Sequence, residues 1–120
     1  MCMGNAHLID EMMEYLYNNF SDTVSAYRSK DTYLELANKS INKATGINLI
    51  APKYGVELSE IIAFGDNYND MEMLDAVGWG VAVENARDVV KEIANEITDH
   101  HKMDGLAKSL EAMLNKLTRK

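Results

Sequence analysis

The chain has 120 residues, 47% hydrophobic and 26% charged, and its formal net charge is −7. This acidic balance argues against nucleic acid or an anionic membrane as a partner, because both require a basic face. The single cysteine, Cys2, excludes an internal disulfide and suits a reducing compartment, and no apolar run reaches the length of a membrane span. We therefore expect a cytoplasmic protein with a free thiol in a mobile N-terminus.

Residues 1–41 predict a helix followed by a β-hairpin. Apolar residues recur every four positions in the helical stretch at Leu8, Met12, Leu16 and Phe20. This spacing indicates the buried face of an amphipathic helix over residues 6–20. The next stretch, SDTVSAYRSKDTYLELAN, is rich in Val, Thr, Tyr and Leu and is interrupted by Ser-Lys-Asp, as expected for two strands joined by a turn.

From residue 42 onward, helical patterns alternate with short apolar runs. A helix begins at Lys43, and Pro52 and Gly55 are expected to end or distort it. The runs EIIAF, GWGVAV and EITDH predict strands, the first of them over residues 60–64 and buried on both faces. The final helix is expected to turn its apolar residues inward, namely Leu106, Leu110, Met113, Leu114 and Leu117. The alternation predicts the α/β class with a parallel sheet, and we place a domain boundary between residues 41 and 42.

Two acids lie at the end of the 60–64 strand. Asp66 follows the strand directly, and Asp70 comes four residues later in the first turn of the next helix. Ligands of open α/β sheets bind outside the carboxyl ends of the strands, so both carboxylates are expected in that crevice. Gly65 is expected to permit a tight turn between them, and two carboxylates without a thiolate suit Mg²⁺. The same residues are also typical of an ordinary turn and helix cap, and this alternative stays open.

Three segments together resemble one enzyme family. IIAFGDNYNDMEMLDAVGWGVAVENA resembles the fourth motif and following strand of the haloacid dehalogenase (HAD) superfamily, in particular of its Cof-type sugar-phosphate phosphatases. YLELANKSINKATGINLI is similar to the segment where the last strand of the cap domain returns to the core, and ITDHHKMDGLAKSLEAML to the final strand, loop and helix. The resemblance implies a partial HAD-like parallel sheet with flanking helices in residues 42–120, preceded by an α+β remnant of the cap domain in residues 1–41.

The resemblance also implies roles for individual residues. Asp66 and Asp70 match the acids that hold Mg²⁺ or its waters. Asn69 matches a residue that contacts the phosphoryl group or orients the site. Lys43 matches the lysine that neutralises the phosphate and the nucleophile, although by itself it is typical of a solvated lysine at a helix start, with Lys39 as a nearby competitor. The implied activity is Mg²⁺-dependent hydrolysis of small phosphorylated metabolites, with sugar phosphates among the candidate substrates.

The sequence also departs from the family. These enzymes open with D-x-D-G-T, which supplies the nucleophilic aspartate, and no D-x-D occurs in this sequence. The chain is therefore expected to be a C-terminal portion that is inactive alone, with an open edge at the 60–64 strand through which two copies could pair or swap. The alternative is a non-catalytic binding or assembly domain derived from the same scaffold.

Several other polar residues are expected to have structural roles. The loop Asp99-His100-His101 stands where the family often has Ser-Asn, and we expect a polar loop there rather than a metal site. Tyr27, Arg28 and Tyr33 are expected on the hairpin surface, with cross-strand packing favoured over substrate contact. Trp79 is expected to pack at the start of a strand.

Overall fold

The computed structural model describes residues 1–119, which form two three-stranded sheets and their flanking helices. In chain order these are β1 (Cys2–Met3), α1 (Ala6–Phe20), β2 (Val24–Lys30), β3 (Tyr33–Asn38), α2 (Lys43–Tyr54), β4 (Ile62–Gly65), α3 (Met71–Ala76), β5 (Trp79–Val83), α4 (Asp88–Ile93), β6 (Glu96–Thr98) and α5 (Gly105–Thr118). Short 3₁₀ turns occur at Leu58–Glu60, Tyr68–Asp70 and His101–Met103. The predicted α/β class is confirmed. None of the helices in this described part is long and apolar enough to cross a membrane.

The first sheet has the strand order β1-β3-β2 and is antiparallel. It contains the predicted hairpin, but the expected mobile N-terminus is wrong, because Cys2 pairs with Leu34 in β1 and β3. The buried face of α1 is centred on Ile9, which is 2% exposed, whereas three of the four residues predicted to face inward are exposed: Leu8, Met12 and Phe20. Steps of four residues drift about 40° each around a helix of 3.6 residues per turn. The four predicted apolar positions therefore do not share one face.

The second sheet is parallel, with the strand order β4-β5-β6. Its core lies between the sheet and the helices α3 and α4, and comprises Ala63, Leu74, Val77, Ala82, Ala86 and Val90. Helix α2 continues through Pro52 and ends at Tyr54, and Gly55 caps it with a left-handed φ of 68°. Of the two residues expected to end or distort this helix, Gly55 therefore ends it and Pro52 does not. The two sheets lie on either side of the predicted boundary at residues 41 and 42, which itself stays a prediction.

Strand β4 differs from its prediction. It begins at Ile62, because Leu58–Glu60 forms a 3₁₀ turn. Ile62 is 39% exposed, so the expectation of burial on both faces is wrong. Within the described part of the chain, β4 has a partner strand on one side alone, which leaves its other edge open. The pairing or swapping of two copies through this edge stays a prediction.

Helix α5 also turns a different side inward. Its buried residues are Gly105 and Ser109, and the Ser109 hydroxyl donates to Glu96 Oε1 on β6 at 2.6 Å. Four leucines that were predicted to face the core are exposed instead: Leu106, Leu110, Leu114 and Leu117. The side with small residues is buried because it allows α5 to approach the chain at Asp99 closely. A Cβ on Gly105 would lie 1.8 Å from the carbonyl oxygen of Asp99. The leucine side of α5 therefore faces away from the described core.

Candidate functional site

Residues 65–70 form the acidic turn, which is built around the carboxylate of Asp70. β4 ends at Gly65, and the chain enters the 3₁₀ turn that leads into α3. Asp70 Oδ2 accepts hydrogen bonds from the backbone N–H groups of Asp66 at 2.9 Å and Asn67 at 3.1 Å. The Asn67 side chain caps the turn, since its Oδ1 accepts from the N–H of Tyr68 at 2.9 Å. Asp70 is only 3% exposed, so its carboxylate is a buried anchor that closes the turn.

Gly65 is required here for space rather than for backbone freedom. Its φ is not in the left-handed region, where Gly55 is the only glycine of the described chain. A Cβ on Gly65 would lie 2.6 Å from Asp70 Cβ and 3.1 Å from Asp70 Oδ2. The turn expected after Gly65 is present, and it depends on the absence of a side chain at Gly65 rather than on a left-handed backbone conformation. The glycine allows the Asp70 side chain to pack directly against the end of β4.

Lys43 reaches the acidic turn from the start of α2. Asn42 caps this helix by a reciprocal pair of hydrogen bonds with Thr45. Lys43 Nζ donates to Asp70 Oδ1, and the two side chains are 49% and 4% exposed. A cation in the first turn of a helix is disfavoured by the helix dipole, so the ion pair rather than helix preference accounts for this placement. The competitor, Lys39, instead donates to the carbonyl oxygen of Ser21.

The two acids have opposite pKa shifts. Burial opposes ionisation of Asp70, but the hydrogen bonds from Lys43 and from the N–H groups of Asp66 and Asn67 outweigh it and lower the pKa of Asp70. Asp66 is exposed as a residue, yet partial desolvation, followed by repulsion from Asp70, raises the pKa of its carboxyl. A cation placed beside Asp66 would offset this repulsion and favour its ionised form.

Asp66 lines a cavity of about 530 Å³ at the carboxyl ends of the parallel strands. Its walls include Phe64, Asp66, Val83, Asn85, His101 and Leu106. The N–H of His101 donates to Asn85 Oδ1 at 3.0 Å, and the rings of His100 and His101 stack with centroids 4.4 Å apart. Asn69 is half-buried in the acidic turn, lies outside this lining, and makes no side-chain hydrogen bond within residues 1–119. The structure thus brings Lys43, Asp66 and Asp70 together, with Asn69 beside them.

The residues present fit Mg²⁺ in a restricted sense. Both oxygens of Asp70 already accept hydrogen bonds, whereas the Asp66 carboxylate borders the cavity. No group of three or more His, Cys, Asp or Glu side chains arranged to hold a metal occurs among the described residues. A protein site for Mg²⁺ commonly offers one or two carboxylates and leaves the remaining positions to waters and substrate phosphates. Asp66 would hold such an ion, and Asp70 would support it from the turn.

The hairpin residues make contacts within the chain. Tyr27 donates to Glu72 Oε1 at 2.7 Å, and Arg28 pairs with Asp10 at 2.7 Å. Lys30 lies 5.0 Å from the ring centre of Tyr33. Lys30 and Tyr33 are therefore a cross-strand pair, whereas Tyr27 and Arg28 contact α3 and α1 rather than the neighbouring strand. The link from Tyr27 to Glu72 spans 45 positions, and no local pattern in the sequence could have indicated it.

Trp79 lies at the start of β5, as expected, and its indole N–H donates to Glu96 Oε2 at 3.1 Å. The Glu96 carboxylate therefore connects β5 with the Ser109 hydroxyl of α5. This group lies at the amino ends of β5 and β6, the edge of the parallel sheet opposite the acidic turn.

Comparison with known proteins assigns the chain to a family. A family model described as haloacid dehalogenase-like hydrolase matches residues 1–110. The chain is 47% identical over 77 residues to a Bacillus subtilis protein named 5-amino-6-(5-phospho-D-ribitylamino)uracil phosphatase YitU, which covers 64% of this chain and 28% of that protein.

Solved structures show the same likeness. A haloacid dehalogenase-like hydrolase from Bacteroides thetaiotaomicron superposes with a TM-score of 0.74 at 32% identity, covering 92% of this chain and 42% of that one. The HAD subclass IIB sugar phosphatase BT4131 superposes with a TM-score of 0.80 at 28% identity, covering 87% and 40%. The chain thus spans less than half the length of these relatives. It belongs to the haloacid dehalogenase-like hydrolase family.

Proposed function

We propose that the chain is part of a Mg²⁺-dependent phosphohydrolase of the Cof type that acts on small phosphorylated metabolites in the cytoplasm. The observation that carries the proposal is the convergence of Lys43, Asp66 and Asp70 at the carboxyl end of β4. The phosphatase names of the relatives support the same reaction class.

The roles proposed for the side chains follow from their contacts. The Lys43 ammonium has three N–H donors, of which Asp70 accepts one in this structure, so Lys43 can also donate to an anionic phosphoryl oxygen. Asp70 keeps the ammonium in place, and Asp66 presents acceptor oxygens to the cavity. For Asn69, whose side chain makes no hydrogen bond within residues 1–119, contact with the phosphoryl group is proposed from the family resemblance alone. When bound, Mg²⁺ supplies charge neutralisation for the phosphoryl oxygens.

The proposal includes inactivity of the 120-residue chain alone, because its sequence contains no D-x-D motif to supply a nucleophilic aspartate. We expect no turnover of p-nitrophenyl phosphate by the purified chain with Mg²⁺. Turnover that requires Mg²⁺ and disappears in Asp66→Ala would show that the chain is catalytically sufficient and would refute this part.

Metal binding by the chain is tested by calorimetric titration with Mg²⁺. Asp66→Asn is expected to weaken binding at least about tenfold, because it removes the charged oxygen ligand and changes to the residues that merely support metal ligands already cost about that much. Asp31→Asn in the exposed hairpin turn is the matched control and should bind like the wild type. Equal affinities for the wild type and Asp66→Asn would contradict the assignment of Asp66.

The second candidate is a non-catalytic assembly domain, and the exposed leucines of α5 favour it. Leu106, Leu110 and Leu114 are 48%, 39% and 52% exposed on one side of this helix. Apolar residues grouped on a surface are typical of an interaction site. The coding sequence upstream separates the two candidates: an in-frame D-x-D-G-T favours the phosphohydrolase, and a coding sequence without one favours assembly.

A further inference from the structure

Two side-chain hydrogen bonds connect the hairpin to the acidic turn. Asn67 Nδ2 donates to the carbonyl oxygen of Ser29 on β2 at 3.2 Å. The second bond reaches Glu72, five residues after Asn67 at the start of α3. The Tyr27 hydroxyl on β2 donates to Glu72 Oε1 at 2.7 Å. The partners are 38 and 45 positions apart in the chain, so each bond joins the first sheet to the segment that carries Asp66 and Asp70.

Asn67 connects β2 directly to the Asp70 carboxylate. Its side chain donates to Ser29, while its own backbone N–H donates to Asp70 Oδ2 at 3.1 Å. A shift of Asn67 away from β2 would therefore move one of the two amides that anchor Asp70. The neighbouring amide, that of Asp66, belongs to the residue proposed to face the ligand.

Tyr27 holds the other end of the same segment. Glu72 lies in the first turn of α3, two positions after Asp70. Its Oε2 is buried and has no hydrogen-bond partner among the described residues, and Tyr27 binds its Oε1. Loss of the Tyr27 hydroxyl would leave a poorly solvated carboxylate without a donor, which is costly. We expect the Glu72 side chain then to move toward water and to displace the first turn of α3.

We propose that β2 is a strut for the acid pair, in which Tyr27 and Asn67 act as positioning residues for Asp66 and Asp70. The effect of the strut on metal or phosphate binding rests on the proposed function, whereas its effect on the geometry of the turn does not. In this proposal the hairpin fixes the position of the Asp70 carboxylate, to which both Lys43 and the Asp66 amide donate.

Amide hydrogen exchange measured by NMR tests the strut without any ligand. Tyr27→Phe and Asn67→Ser are expected to accelerate exchange of the Asp66 and Asn67 amides about three- to tenfold, as for the loss of one hydrogen bond. Serine keeps a capping oxygen for the Tyr68 N–H, so Asn67→Ser removes chiefly the donor to Ser29. Tyr54→Phe, at the exposed end of α2, is the matched control and should change neither amide.

A purely local effect distinguishes positioning from general destabilisation. The Val81 amide in the centre of β5 should exchange at the wild-type rate in Tyr27→Phe and Asn67→Ser. Glu72→Gln should retain wild-type exchange in the turn, because its amide oxygen still accepts from Tyr27, whereas Glu72→Ala should behave like Tyr27→Phe. The double variant Tyr27→Phe/Glu72→Ala should show no additional acceleration, as expected when both changes remove one interaction.

The outcomes separate the two proposals. Unchanged turn exchange in both Tyr27→Phe and Asn67→Ser overturns the strut, and so does equal acceleration at Val81. If the strut exists, the same variants should raise the dissociation constant for Mg²⁺ alone by a similar factor. A wild-type chain that binds no Mg²⁺ overturns the metal assignment of Asp66 while the exchange data still decide the strut.

Discussion

Gly65→Ala tests the packing of the acidic turn most directly. The added methyl group would meet the Asp70 side chain at three atoms, the nearest being Cβ at 2.6 Å. Carbon atoms in optimal contact lie about 3.5–4.0 Å apart, so this approach is too close by about 1 Å. Asp70 cannot retreat without disturbing its bonds to Lys43 or to the Asp66 and Asn67 amides.

The cost of Gly65→Ala follows from these contacts. Overpacking of a well-packed site costs about 1–3 kcal/mol, and the loss of one hydrogen bond to a charged group costs about 1.5–3 kcal/mol. Because relief of the clash weakens a bond rather than adding a second full penalty, we expect a loss of about 2–4 kcal/mol in the free energy of unfolding. Gly46→Ala is the matched control. A Cβ there has no neighbour within 4 Å, and the residue lies inside α2.

Urea unfolding followed by circular dichroism measures both variants against the wild type. Gly46→Ala should stabilise the chain by up to about 1 kcal/mol, since alanine is the better helix former. The two glycine-to-alanine changes should thus have opposite signs. A Gly65→Ala chain as stable as the wild type would refute the packing argument, because it would mean that Asp70 can move away without loss.

Three further predictions concern the core and the ion pair. Leu74→Ala should cost about 2–5 kcal/mol of unfolding free energy because Leu74 is fully buried, whereas the exposed Leu114→Ala should stay within about 0.5 kcal/mol; similar losses would contradict the exposed side of α5. Lys43→Met should raise the pKa of Asp70 in an NMR titration, because burial would then act with less opposition; an unchanged pKa would contradict the pair. The stability advantage of the wild type over Asp70→Asn should be complete above the ordinary carboxyl pKa of 3.8 and should shrink as the pH falls through the lowered folded-state pKa; an advantage that grows with acid would contradict the sign.

The sequence predicted the type of each core element because that information is local. Helical and apolar stretches alternate from residue 42, and the observed strands and helices follow the same order. It was harder to predict which side of each helix or strand is buried. In α5 the leucine stripe and the small residues Gly105 and Ser109 are both regular patterns, and only the close approach to Asp99 and Glu96 decides which one is buried.

The candidate site was predictable in composition and less so in geometry. The acids and Lys43 could be named from the motif and from the family resemblance, and the structure brings them together. The separate environments of Asp66 and Asp70 could not be predicted, because the amides that anchor Asp70 and the lysine that neutralises it come together only in the folded chain. The contacts of Tyr27 and Asn67 depend likewise on the docking of two sheets.

The different environments of the two acids account for the presence of both. A carboxylate that is buried and fully hydrogen-bonded keeps a fixed position, but it has little capacity left for a ligand, as at Asp70. An exposed carboxylate beside a cavity has that capacity, but its backbone needs support, as at Asp66. Because Asp70 accepts from the Asp66 amide and from Lys43, it fixes an anionic and a cationic group relative to each other. The phosphoryl transfer that we propose would benefit from this arrangement, because catalysis of that reaction depends on charges held in place before the substrate arrives.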